Sequence, residues 1–233
     1  MKVQVSGLNA GYGRITILRD LNIQVESGEI IGVLGRNGMG KSTLVHTLAG
    51  LLPATGGSIA FDDQDVTHAS VRERACSGVT TVVQGRGIFP RLTVRENLVM
   101  GRVASGQPRA DRSDEVIAYF PRLGERMNQL AGTMSGGEQQ MLAIGRGLMT
   151  NPKLMLLDEP SDGIMPKLVN QIAETLVQIN QREGMTLLIV EQNVPLVFKM
   201  ARHFTVMEKG QAIYQAETAA VSMEDIMQEY LAI

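Results

Sequence analysis

The chain has 233 residues, 44% of them apolar, and a formal net charge of −2; that is enough apolar surface for a sizeable buried core and argues against a disordered chain. Acidic and basic residues are interspersed, which leaves no electrostatic footprint for nucleic acid or for an anionic lipid surface. A single cysteine, Cys76, excludes an internal disulfide, and His46, His68 and His203 lie too far apart in sequence to suggest a metal site.

In chain order, the amino-terminal MKVQVSGLNAGYG lacks the apolar core of a signal peptide, and no run approaches the roughly 18 apolar residues that span a bilayer. The product is therefore expected to stay in the cytosol and to meet a membrane only through a protein partner. KVQVSGLNA, LNIQVESG and GGSIAFDD alternate as antiparallel strands do. EIIGVLG (29–35), VTTVVQ (79–84), KLMLLDE (153–159) and TLLIVEQ (186–192) are short apolar runs, the mark of parallel strands covered on both faces. From 85 to 150 the pattern turns helical, through TVRENLVMG, RSDEVIAYF and GGEQQMLAIGRGLM, and this block is expected as a helical insert. FTVMEKGQAIYQA (204–216) reads as a hairpin turning at EKGQ. The whole is an α/β chain of one domain, residues 1–233, with the helical block near 85–150 set into its core.

Ligands of parallel sheets bind beyond the carboxyl ends of the strands, and each apolar run here ends in polar or glycine chemistry: Gly35, Gln84, Asp158 with Glu159, and Gln192. The first end carries G-x-x-x-x-G-K-S, fixed by Gly35, Gly40, Lys41 and Ser42, between a strand and a helix as the motif requires. Glycines let backbone N–H groups turn towards phosphate oxygens, and the helix start adds partial positive charge. Lys41 is expected at the β- and γ-phosphates and Ser42 at Mg²⁺.

Asp158 offers a carboxylate to the water shell of Mg²⁺, and Glu159 can orient or deprotonate an attacking water. Gln84 can touch metal or water through its amide oxygen; by itself it reads equally as a surface glutamine. In MSGGEQQMLAIGRGLM, Ser135, Gly136 and Gly137 open an amphipathic helix and form a second anion-binding helix start in the same chain. Alone, such a tripeptide is usually an ordinary helix cap.

Set between the phosphate loop and the Asp-Glu strand, the Ser-Gly-Gly helix start closely resembles the signature of the ABC-transporter ATPases, normally Leu-Ser-Gly-Gly-Gln. The resemblance covers essentially the whole chain. It implies a P-loop NTPase fold of the RecA type: a mostly parallel core, an antiparallel β subdomain and an inserted helical subdomain. ATP and Mg²⁺ are the implied cofactors. The loop residues Gly35, Arg36, Asn37, Gly38, Met39, Gly40, Lys41, Ser42 and Thr43 match the phosphate loop, and Tyr12 matches the aromatic that stacks on adenine, although an aromatic beside glycines also suits a turn. Gln84 matches the glutamine loop, Ser135 to Glu138 the signature, and Asp158 with Glu159 the second Walker motif. Ser42, Gln84 and Asp158 are the implied metal ligands; Lys41, Gln84, Glu159 and Gln192 are the implied catalytic group. In that family two ATPase subunits meet head to tail, so that ATP on one phosphate loop is capped by the other subunit's signature.

Three departures narrow the resemblance. Glu138 replaces the usual signature glutamine, SDGIMP puts Met165 where an aspartate is usual, and Gln192 stands where a switch histidine is normal. With GRNGMGKST, QGRGIFPRLTVRENL and DEPSDGI, these look like the smaller ATPase subunit of branched-chain amino acid importers, with urea and short-amide importer subunits closely similar. An export or lipopolysaccharide-extraction ATPase is the alternative within the fold. The resemblance implies a second, different ATPase chain, two membrane permease subunits, a solute-binding protein and no nucleic acid. It places the chain at the cytoplasmic face of the membrane, peripheral through the permeases. The segment from Gly85 to Gly101, with Phe89 and Pro90 as apolar contact, is expected to receive a short helix of a membrane subunit, because it follows Gln84.

Overall fold

The strands form two sheets, and the central strands of the larger are buried throughout. The computed structural model describes residues 1–104 and 111–231. β1 (Val3–Tyr12), β2 (Ile15–Val25), β4 (Ala54–Phe61) and β5 (Gln64–Asp65) make an antiparallel sheet in the order β2-β1-β4-β5. The second sheet has the order β10-β9-β3-β8-β7-β6, from β3 (Ile30–Leu34), β6 (Val79–Val82), β7 (Leu154–Asp158), β8 (Thr186–Glu191), β9 (His203–Glu208) and β10 (Gln211–Glu217). Its pairings are parallel except for the closing β9–β10 hairpin. In β3, β7 and β8 every residue is buried, which accounts for unbroken apolar runs in place of alternation.

Two cores lie on opposite faces of the parallel sheet, and residue parity assigns each strand side chain to one of them. Leu187 and Ile189 join Met155 and Leu157 in the core under the helices, whereas Leu188 and Val190 join Leu154 and Leu156 in the core shared with the antiparallel sheet. α1 (Lys41–Leu48) packs in the second core, through Leu44, Val45 and Leu48. α2 (Val71–Ser77) opens on a capping box of Ser70 and Glu73 and leads into edge strand β6.

Between β6 and β7 stand α3 (Val94–Ala104), α4 (Ser113–Tyr119), α5 (Pro121–Gly124) and α6 (Gly136–Leu148); among the described residues this block holds no strand, only an isolated bridge from Thr93 to Leu130. α6 packs on α3 and on β6, which seats the helical block directly on the parallel sheet. α7 (Pro166–Glu183), α8 (Val194–Met200) and the single turn α9 (Met223–Ile226) complete the first core. Among the described residues no helix is long and apolar enough to cross a membrane.

The sequence-based boundaries need three corrections. β2 begins at Ile15, six residues before LNIQVESG, because the Tyr12–Ile15 pair extends the ladder to the hairpin turn. β6 ends at Val82 rather than Gln84, since the chain then enters a left-handed run at Gly85, Arg86 and Gly87 (φ 75°, 71° and 56°) that cannot continue a strand. β8 ends at Glu191, leaving Gln192 as the first residue past the sheet. Helices α2, α7, α8 and α9 are not among the expected elements.

Candidate nucleotide site

The loop from Gly35 to Gly40 crosses the carboxyl end of β3 and opens α1, so backbone N–H groups and a helix start share one edge of the sheet. Gly40 caps α1 at φ 101°, a conformation that a side chain would strain. Arg36, Asn37 and Gly38 are exposed along the loop crest. Met39 is held from behind: its carbonyl accepts from Gly210 N at 3.0 Å, in the β9–β10 turn. Thr43 is buried one turn into α1.

Lys41 is 3% exposed, and its Nζ donates to the carbonyls of Gly35 at 2.8 Å and Arg36 at 3.1 Å. The same ammonium lies 3.1 Å from Glu159 Oε1. Ser42 Oγ donates to Asp158 Oδ1 at 3.0 Å, joining the helix start to the end of β7. Burial pushes the Asp158 carboxyl up; the Ser42 hydrogen bond opposes this, and neighbouring Glu159 adds to it. Glu159, just past the strand, sits at φ 47° with its N–H held by Val190 O at 3.0 Å, which turns its side chain back towards the loop. Its other carboxylate oxygen accepts from Gln84 Nε2 at 3.0 Å. Lys41, Ser42, Gln84, Asp158 and Glu159 thus converge from three strand ends.

The donor set suits a small hard cation. A hydroxyl and a carboxylate meet at Ser42 and Asp158, and Gln84 spends its amide N–H on Glu159, which leaves its oxygen without that duty. No cluster of three or more acidic, histidine or cysteine side chains forms among the described residues; Mg²⁺ ordinarily uses one or two carboxylates and takes its other ligands from phosphate and water.

Tyr12 is half exposed and its hydroxyl lies 3.2 Å from His46 Nδ1, on α1. Among the described residues Gln192 bonds through its backbone, donating N–H to Glu191 Oε2 at 3.0 Å. Glu191 is a residue that sequence reasoning missed. It is 2% exposed, and its carboxylate accepts from the N–H groups of Ser161, Gln192 and Asn193, so one buried acid fixes both the turn after Glu159 and the start of α8. Burial raises its pKa against those bonds. An acid closing an apolar strand was the available signal.

The Ser135 helix start is built separately. The Glu138 carboxylate accepts from Ser135 N at 3.0 Å and Ser135 Oγ at 2.7 Å, and pairs with Arg126 at 3.1 Å. Burial pushes this carboxyl up, but the Ser135 bonds and the two nearby arginines, Arg126 and Arg122, bring it below its ordinary value. Arg86, also missed, crosses to this helix: its guanidinium approaches Gln139 Oε1 and Asp162 O, both at 3.4 Å. Among the described residues no hydrogen bond or ion pair joins 135–138 to the phosphate loop.

Comparison with known proteins agrees with this geometry. A family model described as ABC transporter matches residues 18–162. The high-affinity branched-chain amino acid transport ATP-binding protein BraG of Pseudomonas aeruginosa is 44% identical over 211 residues, 90% of each chain. The probable branched-chain amino acid transport ATP-binding protein LivF of Archaeoglobus fulgidus is 32% identical over 208 residues, 89% of this chain and 88% of that one. The ADP conformation of MJ1267, an ATP-binding cassette of an ABC transporter, superposes with a TM-score of 0.86 at 27% identity, covering 98% of this chain and 96% of that one. A phosphate loop facing an Asp-Glu strand end, on a fold and a sequence shared at this level, identifies the chain as a member of the ABC-transporter family, a nucleotide-binding ATPase cassette coupled to transport.

Proposed function

We propose that this cassette, a single domain over residues 1–233 with a helical subdomain at 85–150, drives import of branched-chain amino acids as the smaller of two paired ATPases. The observation that carries the solute class is the 44% identity to BraG over 90% of both chains. ATP binds across the loop Gly35–Thr43, with Tyr12 against the adenine. Lys41 exchanges its contacts with Gly35 O, Arg36 O and Glu159 for phosphate oxygens. Ser42, Asp158 and the Gln84 oxygen would hold Mg²⁺, which would supply neutralisation of phosphate charge. Glu159, released by Lys41 and oriented by Gln84, takes the proton of the attacking water, and Gln192 positions the γ-phosphate. Ser135, Gly136, Gly137 and Glu138 cap the nucleotide on the second ATPase, which explains why this helix start stands apart from the chain's own loop. The assembly holds two permease subunits, one of which seats a short helix on the segment 85–101 at the cytoplasmic face, and a solute-binding protein delivers cargo.

The test is reconstitution with the partner ATPase and both permeases in proteoliposomes, with the binding protein added outside. ATP-dependent uptake of leucine, isoleucine and valine is expected. Uptake of urea or short amides in their place would reassign the solute, and substrate efflux would overturn import.

A further inference from the structure

A carboxylate sits in the first turn of the helix that is to hold an anion. Glu138, the third residue of α6, is 5% exposed, and both of its oxygens are engaged. Oε2 accepts from Ser135 N at 3.0 Å and from Ser135 Oγ at 2.7 Å. Oε1 lies 3.1 Å from Arg126 Nε and 3.9 Å from Arg122 Nη1. Ser135 thereby spends its N–H and its hydroxyl proton inside the chain, and the acid is folded back onto its own helix start.

Charge magnitudes decide what this arrangement does. The amino end of a helix carries roughly half an elementary positive charge. One ionised carboxylate in the first turn more than cancels it, so a bare Glu138 would make the start of α6 repel phosphate. A guanidinium 3.1 Å away returns the balance to positive, and an arginine stays charged at any working pH. Arg126 is also held in place: its Nη1 donates to Gln129 Oε1 at 2.9 Å, and its own carbonyl accepts from Gln129 N at 2.8 Å. A neutral amide at position 138 would need no such partner.

We propose that Arg126 is a positioning residue for nucleotide capping. By neutralising Glu138 and keeping its carboxylate folded onto Ser135, it lets the start of α6 accept the phosphates bound on the second ATPase. This rests on the capping reading given above and names the residue that makes the cap compatible with an acid at position 138.

The experiment uses the assembled transporter in detergent with Lys41→Ala in this chain, so that nucleotide binds only on the partner's phosphate loop, beneath this chain's helix start. Affinity is read by titration with a fluorescent, non-hydrolysable ATP analogue, and circular dichroism checks that each variant folds. Arg126→Met should weaken binding about tenfold, because it leaves a buried carboxylate without its cation, and Arg126→Lys should stay nearest to the parent. Adding Glu138→Gln to Arg126→Met should bring the affinity back to within about threefold of the parent, since the pair acts as a unit. A role confined to holding the loop at 126–129 gives no such rescue. Arg126→Gln replaces Arg126→Met in the same cycle if the latter does not fold. Ser135→Asp, which adds a second carboxylate at the helix start, separates the two claims. If Ser135→Asp weakens binding while Arg126→Met does not, or if Glu138→Gln gives no relief, the role of Arg126 is overturned and the cap stands. Binding indifferent to Ser135→Asp overturns the capping itself.

Discussion

Lys41 Nζ lies 3.1 Å from Glu159 Oε1, so the proposed phosphate-binding cation and the proposed base hold each other. On the proposed reading neither does its work while the pair persists, and arrival of a polyphosphate should draw Lys41 away and leave Glu159 to water and Gln84. Nucleotide binding and activation of the base are then one event.

Replacing Lys41 removes one half of that exchange. Lys41→Ala should abolish measurable ATP binding or hydrolysis and barely change the circular dichroism, since the side chain contacts loop carbonyls and fills no apolar core. Titration with a fluorescent ATP analogue checks it; near-normal affinity and turnover would show that the loop is not the phosphate site.

Replacing the base keeps the neutralising geometry but removes the proton acceptor. Glu159→Gln should slow hydrolysis on the order of a hundredfold or more while ATP still binds. The nucleotide-bound pair of ATPases should then accumulate on size exclusion. Turnover within about twofold of the parent, in the assembled transporter, would exclude Glu159 as the base.

Gln192 follows the buried Glu191 and is held only by its backbone, which leaves its amide available to a phosphate oxygen. Gln192→Ala should cost roughly 1–3 kcal/mol of transition-state stabilisation, the range for a charged partner losing one hydrogen bond. Gln192→His should be tolerated or mildly activating, because imidazole can donate and also carry charge. Steady-state hydrolysis with the partner's base disabled reads this site alone, and an alanine variant equal to the parent would end the γ-phosphate role.

Arg74 offers a test of stability apart from catalysis. Its guanidinium caps the last carbonyls of α1 and the turn before α2. Arg74→Met fills similar space but strands those acceptors, and should lower unfolding stability by about 2–4 kcal/mol. Urea denaturation measures it; a loss below about 0.5 kcal/mol would mean that water replaces the arginine at no cost.

What the sequence made legible follows from how local each requirement is. The phosphate loop is a local demand: six consecutive residues must turn backbone N–H groups towards one point, and their glycines announce it. The buried strands are local too, because being covered on both faces leaves an unbroken apolar run. The Lys41–Glu159 pair, the Gln84–Glu159 bond and the three N–H groups on Glu191 depend on strand ends that only the sheet order brings together. Likewise, nothing in the composition of α2 or α6 distinguishes Arg74, satisfied five times, from Arg146, whose Nη1 has no acceptor among the described residues.

The alternation of β8 between two cores gives the sheet the character of a partition. Ile189 shares a core with α6 and α7, and Val190 shares the other with the helix that starts at Lys41. Neighbouring positions on one strand therefore belong to different neighbourhoods: a methyl lost at 189 loosens the side packed with α6 and α7, and one lost at 190 loosens the side packed with α1. In β7 and β8 the odd positions belong to the core under the helices and the even ones to the other, and in β3 the assignment is reversed.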